Sequence, residues 1–97
     1  MIVKKYIIAG ESMSPMFNPR DVILASSLPY LFKNPKINDV IICKDPRNGK
    51  TLVKRIQKVD NNEYFVTGDN KSQSTDSKTF GYIKRIDIAG QVVYKFS

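Results

Sequence analysis

The amino-acid sequence predicts an all-β fold, a small sandwich or partly closed barrel of about seven short strands. The chain has 97 residues, which is enough for one domain with its own core. Its apolar residues fall in short runs separated by turn residues, and only one segment could form a helical turn. We therefore predict a single domain over residues 1–97.

Seven runs are rich in β-branched or aromatic residues and bounded by turn signals. They are Ile2–Ala9, Asp21–Ser26, Ile37–Lys44, Thr51–Val59, Glu63–Thr67, Gly81–Ile86 and Ile88–Phe96. The pair Asn48-Gly49 suits a hairpin between the third and fourth runs. Only Leu28–Phe32 could turn helically, and Pro29 and Pro35 keep that turn short.

The composition excludes several catalytic mechanisms. The sequence has no histidine and one cysteine, which removes Ser-His-Asp and Cys-His arrangements and leaves no plausible zinc site. A hydrolase of this composition must use carboxylates, a lysine or a bound cofactor, and we expect neither a cofactor nor a metal. The single cysteine, Cys43, lies in an apolar segment and is predicted to be a buried hydrophobic residue.

The chain carries a net charge of +7, from 16 Lys+Arg against 9 Asp+Glu. Such a balance allows binding to nucleic acid, an anionic membrane or an acidic partner. The basic residues are scattered, however, so a solvated basic surface is the simpler interpretation. No apolar stretch approaches the roughly 18–20 residues of a membrane span, and no secretory signal is present. We expect a soluble, cytoplasmic protein, and peripheral contact with a membrane is compatible with its charge.

Two segments contain residues that could carry chemistry. Strand alternation places Lys54 between Leu52 and Ile56 on one face. Burial there would lower the pKa of the amine and make it a base near neutral pH, although a lysine can also turn its head outward. Ser12 follows the first run in a segment typical of an ordinary turn. Its hydroxyl is a weak nucleophile unless a base lies beside it.

A third segment, rich in polar residues, follows the fifth predicted strand. It contains Gly68-Asp69-Asn70, Ser74-Thr75-Asp76-Ser77-Lys78 and Phe80-Gly81. Its residues could form a hydrogen-bonded loop or orient a functional group. Nothing local decides between these interpretations.

Taken in order, these segments resemble the conserved boxes of signal peptidase I and its small soluble relatives. The matching segments are Ser12-Met13-Ser14-Pro15, Arg20-Asp21-Val22-Ile23-Leu24, Asn38-Asp39-Val40-Ile41, Val53-Lys54-Arg55-Ile56 and the polar loop from Gly68 to Gly81. The match covers about Gly10 to Gly90. It implies the catalytic core shared by signal peptidases and LexA.

The resemblance implies a serine endopeptidase with a Ser/Lys dyad. Neutral Lys54 would take the proton of Ser12, whose oxygen attacks a peptide carbonyl to give an acyl-enzyme, and Lys54 would then activate the deacylating water. Ser74 matches the serine that orients the lysine. Asp76 and Lys78 match an aspartate–arginine pair that supports the loop, with lysine here in place of arginine.

The resemblance also implies where substrate would bind. The oxyanion hole would use the backbone N–H of Ser12 and a second main-chain donor at Gly10. The substrate would be a protein precursor bound as an added extended strand. The groove residues by position are Ile8, Ala9, Gly10, Leu52 and Val53. Arg20 and Asn38 stand where the boxes have glycine, and this bears on turns rather than on chemistry.

The short distance between the lysine box and the last box indicates a subgroup of this family. A typical signal peptidase has transmembrane helices and a large extra β-domain after the lysine box, whereas only about a dozen residues separate Lys54 from Gly68. This layout resembles the soluble peptidases that mature nickel-type superoxide dismutase by removing a short leader. The nickel would belong to the substrate. The sequence does not indicate an oligomeric state.

Two alternatives from other classes stay open. A LexA-like regulatory domain would cut its own Ala-Gly bond, but Ala9-Gly10 lies too near Ser12 to fold back, and no helix-turn-helix precedes it. A non-enzymatic basic β-barrel could bind nucleic acid, with Tyr6, Tyr64 and Phe65 as stacking surfaces and a strong salt dependence. We expect no nucleic acid partner.

Overall fold

Seven strands form one antiparallel sheet in the computed structural model, which describes residues 2–73 and 75–96. The strands are β1 (Val3–Ile7), β2 (Val22–Ser26), β3 (Val40–Lys44), β4 (Thr51–Asp60), β5 (Glu63–Thr67), β6 (Ile83–Lys84) and β7 (Ile88–Lys95). Their order across the sheet is β1-β2-β7-β3-β4-β5-β6. Because β1 and β4 line one cavity although three strands lie between them, the sheet is curled. The predicted all-β, partly closed architecture is confirmed.

Among the described residues, four short helical segments accompany the sheet, more than the sequence predicted. They are the 3₁₀ turns Leu28–Leu31, Lys71–Gln73 and Arg85–Asp87 and the helix α1 (Ser77–Phe80). The predicted turn at Leu28–Phe32 is confirmed, whereas the loop after β5 was wrongly predicted to lack helix. Asp76 explains the difference, because its carboxylate accepts the Lys78 N–H and caps α1. The predicted strand Gly81–Ile86 shortens to β6 and a 3₁₀ turn.

The hairpin connections differ in width. Asn61 and Asn62 join β4 to β5 with φ angles of 48° and 63°, the left-handed pair of a two-residue hairpin turn. The β3–β4 hairpin predicted from Asn48-Gly49 is present, but its loop is wider. There the Gly49 N–H donates to the Asp45 carbonyl oxygen at 2.8 Å, with Gly49 at φ +75°.

Apolar side chains pack on both faces of the sheet. The first core consists of Tyr30, Ile41, Cys43, Ile56, Tyr64, Val66, Ile83 and Ile88. The second core consists of Ile8, Met13, Phe17, Ile23, Ala25 and Ile42. β3 contributes to both cores because successive residues of a strand point to opposite faces.

The burial of Cys43 and of Tyr64 tests the predictions made for these two side chains. Cys43 is fully buried, as predicted, and this burial raises the pKa of its thiol to about 12. Tyr64, named as a stacking surface for nucleic acid, lies in the first core and is only 4% exposed. The stacking role of Tyr64 is therefore wrong, because its ring faces other side chains rather than solvent.

Gly90 lets β7 pack closely against β2. A Cβ atom at this position would lie 2.8 Å from the Ser26 carbonyl oxygen and 2.9 Å from its carbonyl carbon, both backbone atoms. We expect Gly90→Ala to lower the free energy of unfolding by about 2 kcal/mol, because the strands must separate to admit the methyl group. Urea denaturation measures the change. The control Ala89→Ser, at the exposed neighbouring position, should stay within about 0.5 kcal/mol of wild type.

Candidate active site

Ser12 lies on a turn that follows β1. Gly10 begins this turn with φ +79°, a conformation that favours glycine. The next residue, Met13, is 1% exposed and fixes the turn in the second core. The Phe17 N–H donates to the Met13 carbonyl oxygen at 2.9 Å. Ser12 is thus held half-buried on a firmly packed loop.

Lys54 lies in β4 opposite Ile41 of β3, on the face of the first core. It is only 2% exposed. Burial lowers the pKa of its amine below the ordinary value, while the nearby carboxylate of Asp76 acts in the opposite direction. The net lowering favours the neutral amine, which can accept a proton.

Ser12 and Lys54 line the same cavity, of about 230 Å³, between β1 and β4. Among the described residues, those that line it are Tyr6, Ile7, Ile8, Ala9, Ser12, Met13, Thr51, Leu52, Val53 and Lys54. Four of the five predicted groove residues are in this set. Gly10, the fifth, is exposed and is not among them.

Strand edges form the walls of this cavity. β1 is an outer strand of the sheet, so one of its edges has no neighbouring strand among the described residues. In β4, the segment 51–53 pairs with β3, while pairing with β5 begins only at Arg55. An extended peptide could therefore hydrogen-bond to both walls, which is the geometry of β-strand addition.

The loop after β5 is fixed by buried acceptors. The Asp76 carboxylate, fully buried, accepts the Gly68 N–H at 3.1 Å and the Lys78 N–H at 3.0 Å. The Ser77 hydroxyl accepts the Val66 N–H at 2.8 Å. These bonds hold the loop against β5 and place the carboxylate where it acts electrostatically on Lys54.

For the remaining predicted site residues, the structure does not test the predicted roles. Lys78 meets Asp76 through its backbone N–H, and its side chain is exposed. Ser74 lies outside the described residues. The oxyanion-hole roles of Ser12 and Gly10 stay predictions.

Arg55 is the centre of a network that the sequence patterns did not indicate. Its guanidinium donates from Nε and Nη2 to the two carboxylate oxygens of Asp69, each at 2.9 Å. It also donates to the Asn38 carbonyl oxygen at 3.1 Å and contacts the Met16 sulfur at 2.9 Å. One side chain thus joins three loops. The only sequence signal was its position beside the lysine, on the opposite face of the strand.

This network extends to the Ser12 turn through Asn70, whose N–H donates to the Ser12 carbonyl oxygen at 2.8 Å. We expect Arg55→Met to lower the free energy of unfolding by about 1.5 kcal/mol, because a bidentate charged pair is lost. Thermal denaturation measures the change. In a double-mutant cycle, Arg55→Met and Asp69→Asn should be clearly non-additive. Additive effects would contradict a shared role.

Two positions where glycine was expected adopt glycine-like backbones. Arg20 and Asn38 have φ angles of 74° and 78°. The Arg20 N–H donates to the Ile8 carbonyl oxygen and the Asn38 N–H to that of Ile56, each at 2.8 Å. The left-handed turns before the second and third strands are therefore retained without glycine.

Known proteins share similarity over most of this chain. It is 26% identical over 108 residues to mitochondrial inner membrane protease subunit 1 of Homo sapiens, covering 90% of this chain and 65% of that protein. It is 28% identical over 123 residues to mitochondrial ATP-independent inner membrane protease subunit 1a of Arabidopsis thaliana, covering 97% and 73%. The Xenopus tropicalis subunit 1 is 26% identical over 107 residues, covering 89% and 64%. The chain thus spans about two thirds of the length of these relatives.

In the part of the chain that the structure describes, no helix has the length and apolar character needed to cross a membrane. The family described as "Signal peptidase, peptidase S26" matches residues 1–57 and 56–97. The match covers the Ser12 turn, the strand with Lys54 and the loop after β5, and it confirms the resemblance inferred from the five boxes. The chain therefore belongs to the signal peptidase family, peptidase S26.

Proposed function

We propose that the protein is a serine endopeptidase in which Ser12 is the nucleophile and Lys54 the general base. The observation that carries this proposal is that both residues line one cavity while the lysine is 2% exposed. Burial lowers the pKa of this amine below its ordinary value, which favours the neutral form that can accept a proton. The chain has no histidine, so we propose that this amine activates the serine, as a histidine does in many serine peptidases.

The reaction then follows in two steps. The Ser12 Oγ attacks the scissile carbonyl carbon while its proton passes to the Lys54 Nζ. The protonated amine gives that proton to the leaving amine, and an acyl ester on Ser12 is formed. Lys54 next takes a proton from water as the water oxygen attacks the ester carbon. The C–O bond to Ser12 then breaks, the Lys54 Nζ returns that proton to the Ser12 Oγ, and the carboxylic acid is released with the neutral amine restored. The backbone N–H groups at Ser12 and Gly10 would stabilise the oxyanion.

The substrate is proposed to bind as an extended strand between β1 and β4. Main-chain hydrogen bonds to the two walls would supply affinity, and the apolar lining would supply selectivity. Ile8, Ala9, Leu52 and Val53 form that lining together with the buried Met13. The mostly apolar lining favours apolar side chains next to the cleaved bond.

The substrate class we propose is a protein precursor with a short N-terminal leader. A nickel-type superoxide dismutase precursor is the first candidate, on the strength of the compact layout between Lys54 and Gly68. The relatives are named as proteases of the mitochondrial inner membrane, so a precursor presented at a membrane is the second candidate. The cytoplasmic location expected from the sequence stays a prediction, which cell fractionation would test.

The test is cleavage of candidate precursors followed by mass spectrometry. Wild type is compared with Ser12→Ala and Lys54→Ala and with the matched controls Ser14→Ala, in the same turn, and Lys50→Ala, in an exposed hairpin. A single defined cut by wild type and both controls, lost in the two dyad variants, supports the mechanism. Equal cleavage by the folded dyad variants would refute it. If wild type cuts only a membrane-presented precursor, the soluble candidate is wrong and the dyad stands.

A further inference from the structure

The loop between β2 and β3 presents large apolar side chains to solvent. Phe32 is 84% exposed and Leu31 is 69% exposed, and Leu28 and Ile37 are 47% and 55% exposed. Burying such side chains away from water is favourable, so a partner that covered them would gain free energy from their burial. Exposed apolar groups that are contiguous usually mark an interaction site.

This loop is well anchored. Tyr30 is buried in the first core, and its hydroxyl donates to the Asp39 carboxylate at 2.8 Å. The Phe32 and Lys33 N–H groups both donate to the Pro29 carbonyl oxygen at 3.2 Å. These two bonds close the backbone of residues 29–33 into a turn. The two apolar side chains point outward from an ordered turn.

Basic residues flank the apolar tip. Lys33 and Lys36 belong to the same loop, and within residues 2–73 and 75–96 neither forms an ion pair. The Arg85 guanidinium lies 5.5 Å from the centre of the Tyr30 ring, which brings the 3₁₀ turn after β6 beside the loop. That turn adds Ile86, 89% exposed, to the same region. We call the exposed side chains Leu28, Leu31, Phe32, Ile37 and Ile86 the loop patch.

We propose that the loop patch docks the protein onto an anionic membrane surface. Leu31 and Phe32 would enter the region between headgroups and acyl chains, while Lys33 and Lys36 stay at the level of the anionic headgroups. The net charge of +7 adds long-range attraction to such a surface. A second copy of the chain is a poor occupant, because it would bring the flanking cations against one another.

A competing apolar surface, the β7 surface, consists of Tyr94 near the end of β7 and Phe96, which follows the strand; they are 57% and 43% exposed. Its cations already have partners within the protein. The Lys5 amine lies over the Phe96 ring at 5.0 Å, and Lys95 pairs with Asp21 at 3.4 Å. The loop patch, by contrast, combines greater exposure with lysines that form no ion pair among the described residues. The β7 surface therefore serves as the internal control.

Co-sedimentation with large unilamellar vesicles tests the proposal on the full chain. We expect binding to vesicles of phosphatidylcholine with phosphatidylglycerol, little binding to phosphatidylcholine alone, and weakening by added salt. The pairs Leu31→Ser/Phe32→Ser and Lys33→Glu/Lys36→Glu should each weaken binding by roughly tenfold. The control pair Tyr94→Ser/Phe96→Ser should bind like wild type. Because vesicle binding needs no catalysis, the Ser12→Ala variant should bind equally well.

A fluorescence reporter tests the same proposal without removing the apolar side chains. The chain has no tryptophan, so Phe32→Trp and Phe96→Trp each introduce a single probe. Emission of the probe at residue 32 should shift to the blue with anionic vesicles and be quenched by brominated lipid, while that at residue 96 should not change.

Three results would overturn the proposal. The first is a wild-type chain that ignores anionic vesicles, and the second is binding lost only in the Tyr94/Phe96 pair. The third is a loop-patch variant whose sole effect is to turn a dimer into a monomer by light scattering, which would assign the patch to a second copy.

Discussion

Lys54→Met should reduce peptide-bond cleavage by at least about a thousandfold while the protein stays folded. Methionine is unbranched and apolar, so it can fill the space between Leu52 and Ile56 in the buried part of β4. It cannot accept a proton from Ser12. Single-turnover kinetics on a cleaved precursor measure the loss, and circular dichroism checks the fold. Activity within tenfold of wild type would exclude the lysine as base.

The same residue predicts the pH dependence of wild type. Burial lowers the pKa of Lys54 from its ordinary 10.5, and the mechanism we propose requires the neutral amine. We therefore expect kcat/KM to rise with pH along a limb whose apparent pKa lies below 10.5. Lys54→Arg, which stays charged, should be inactive throughout this range. A limb at the ordinary lysine pKa would contradict burial of the base.

This lowered pKa also affects stability, with a defined sign. Between the folded-state pKa of Lys54 and 10.5, the unfolded chain binds a proton that the folded chain does not. The free energy of unfolding should therefore gain a contribution that rises with pH across that window. Lys54→Met should lack this contribution, which urea denaturation at several pH values would reveal.

Asp76→Ala should lower the free energy of unfolding by about 3 kcal/mol or more. The fully buried carboxylate accepts the N–H groups of Gly68 and Lys78, and alanine would leave both donors without these bonds. Asp60→Ala, on the exposed end of β4, is the matched control and should change stability by less than about 0.5 kcal/mol. Equal effects of the two substitutions would show that the capping bonds contribute little.

Asp76→Asn separates the structural role of this residue from its charge. The amide oxygen can still accept one N–H, so the loss of stability should be smaller than that of alanine. Because the carboxylate raises the pKa of Lys54, removing its charge should lower that pKa further. The alkaline rise of kcat/KM should therefore begin at lower pH than in wild type. A limb that stayed in place or moved to higher pH would contradict the electrostatic coupling.

Periodicity and turn chemistry were enough to predict the strands, and with them the face on which Lys54 lies. Alternation holds along β4 from Leu52 to Ile56, and a register shift between Ile56 and Lys58 then interrupts it. Simple alternation places Val59 on the face opposite Ile56, but after this shift Val59 pairs with Tyr64 and lies on the same face as Ile56. A bulge of this kind depends on the partner strand, so no local pattern could reveal it.

Long-range contacts were the other part that the sequence did not predict. The pair Arg55–Asp69 forms only because a hairpin folds β5 back on β4, and helix α1 depends on a side-chain cap at Asp76. Ser12 and Lys54 were first associated through the resemblance, since 41 intervening positions carry no spacing rule that joins them. Their shared cavity is a product of the curled sheet.

The antiparallel sheet gives the cavity a direction. From β1 through β2, β7 and β3 to β4, each neighbour reverses, so β1 and β4 run the same way on either side of the cavity. A peptide inserted there is either parallel to both walls or antiparallel to both, and it would close the strands into a ring. Chain polarity thus becomes a selection criterion alongside side-chain size. A peptide with its sequence reversed would present its side chains in the wrong order to walls that run in one direction.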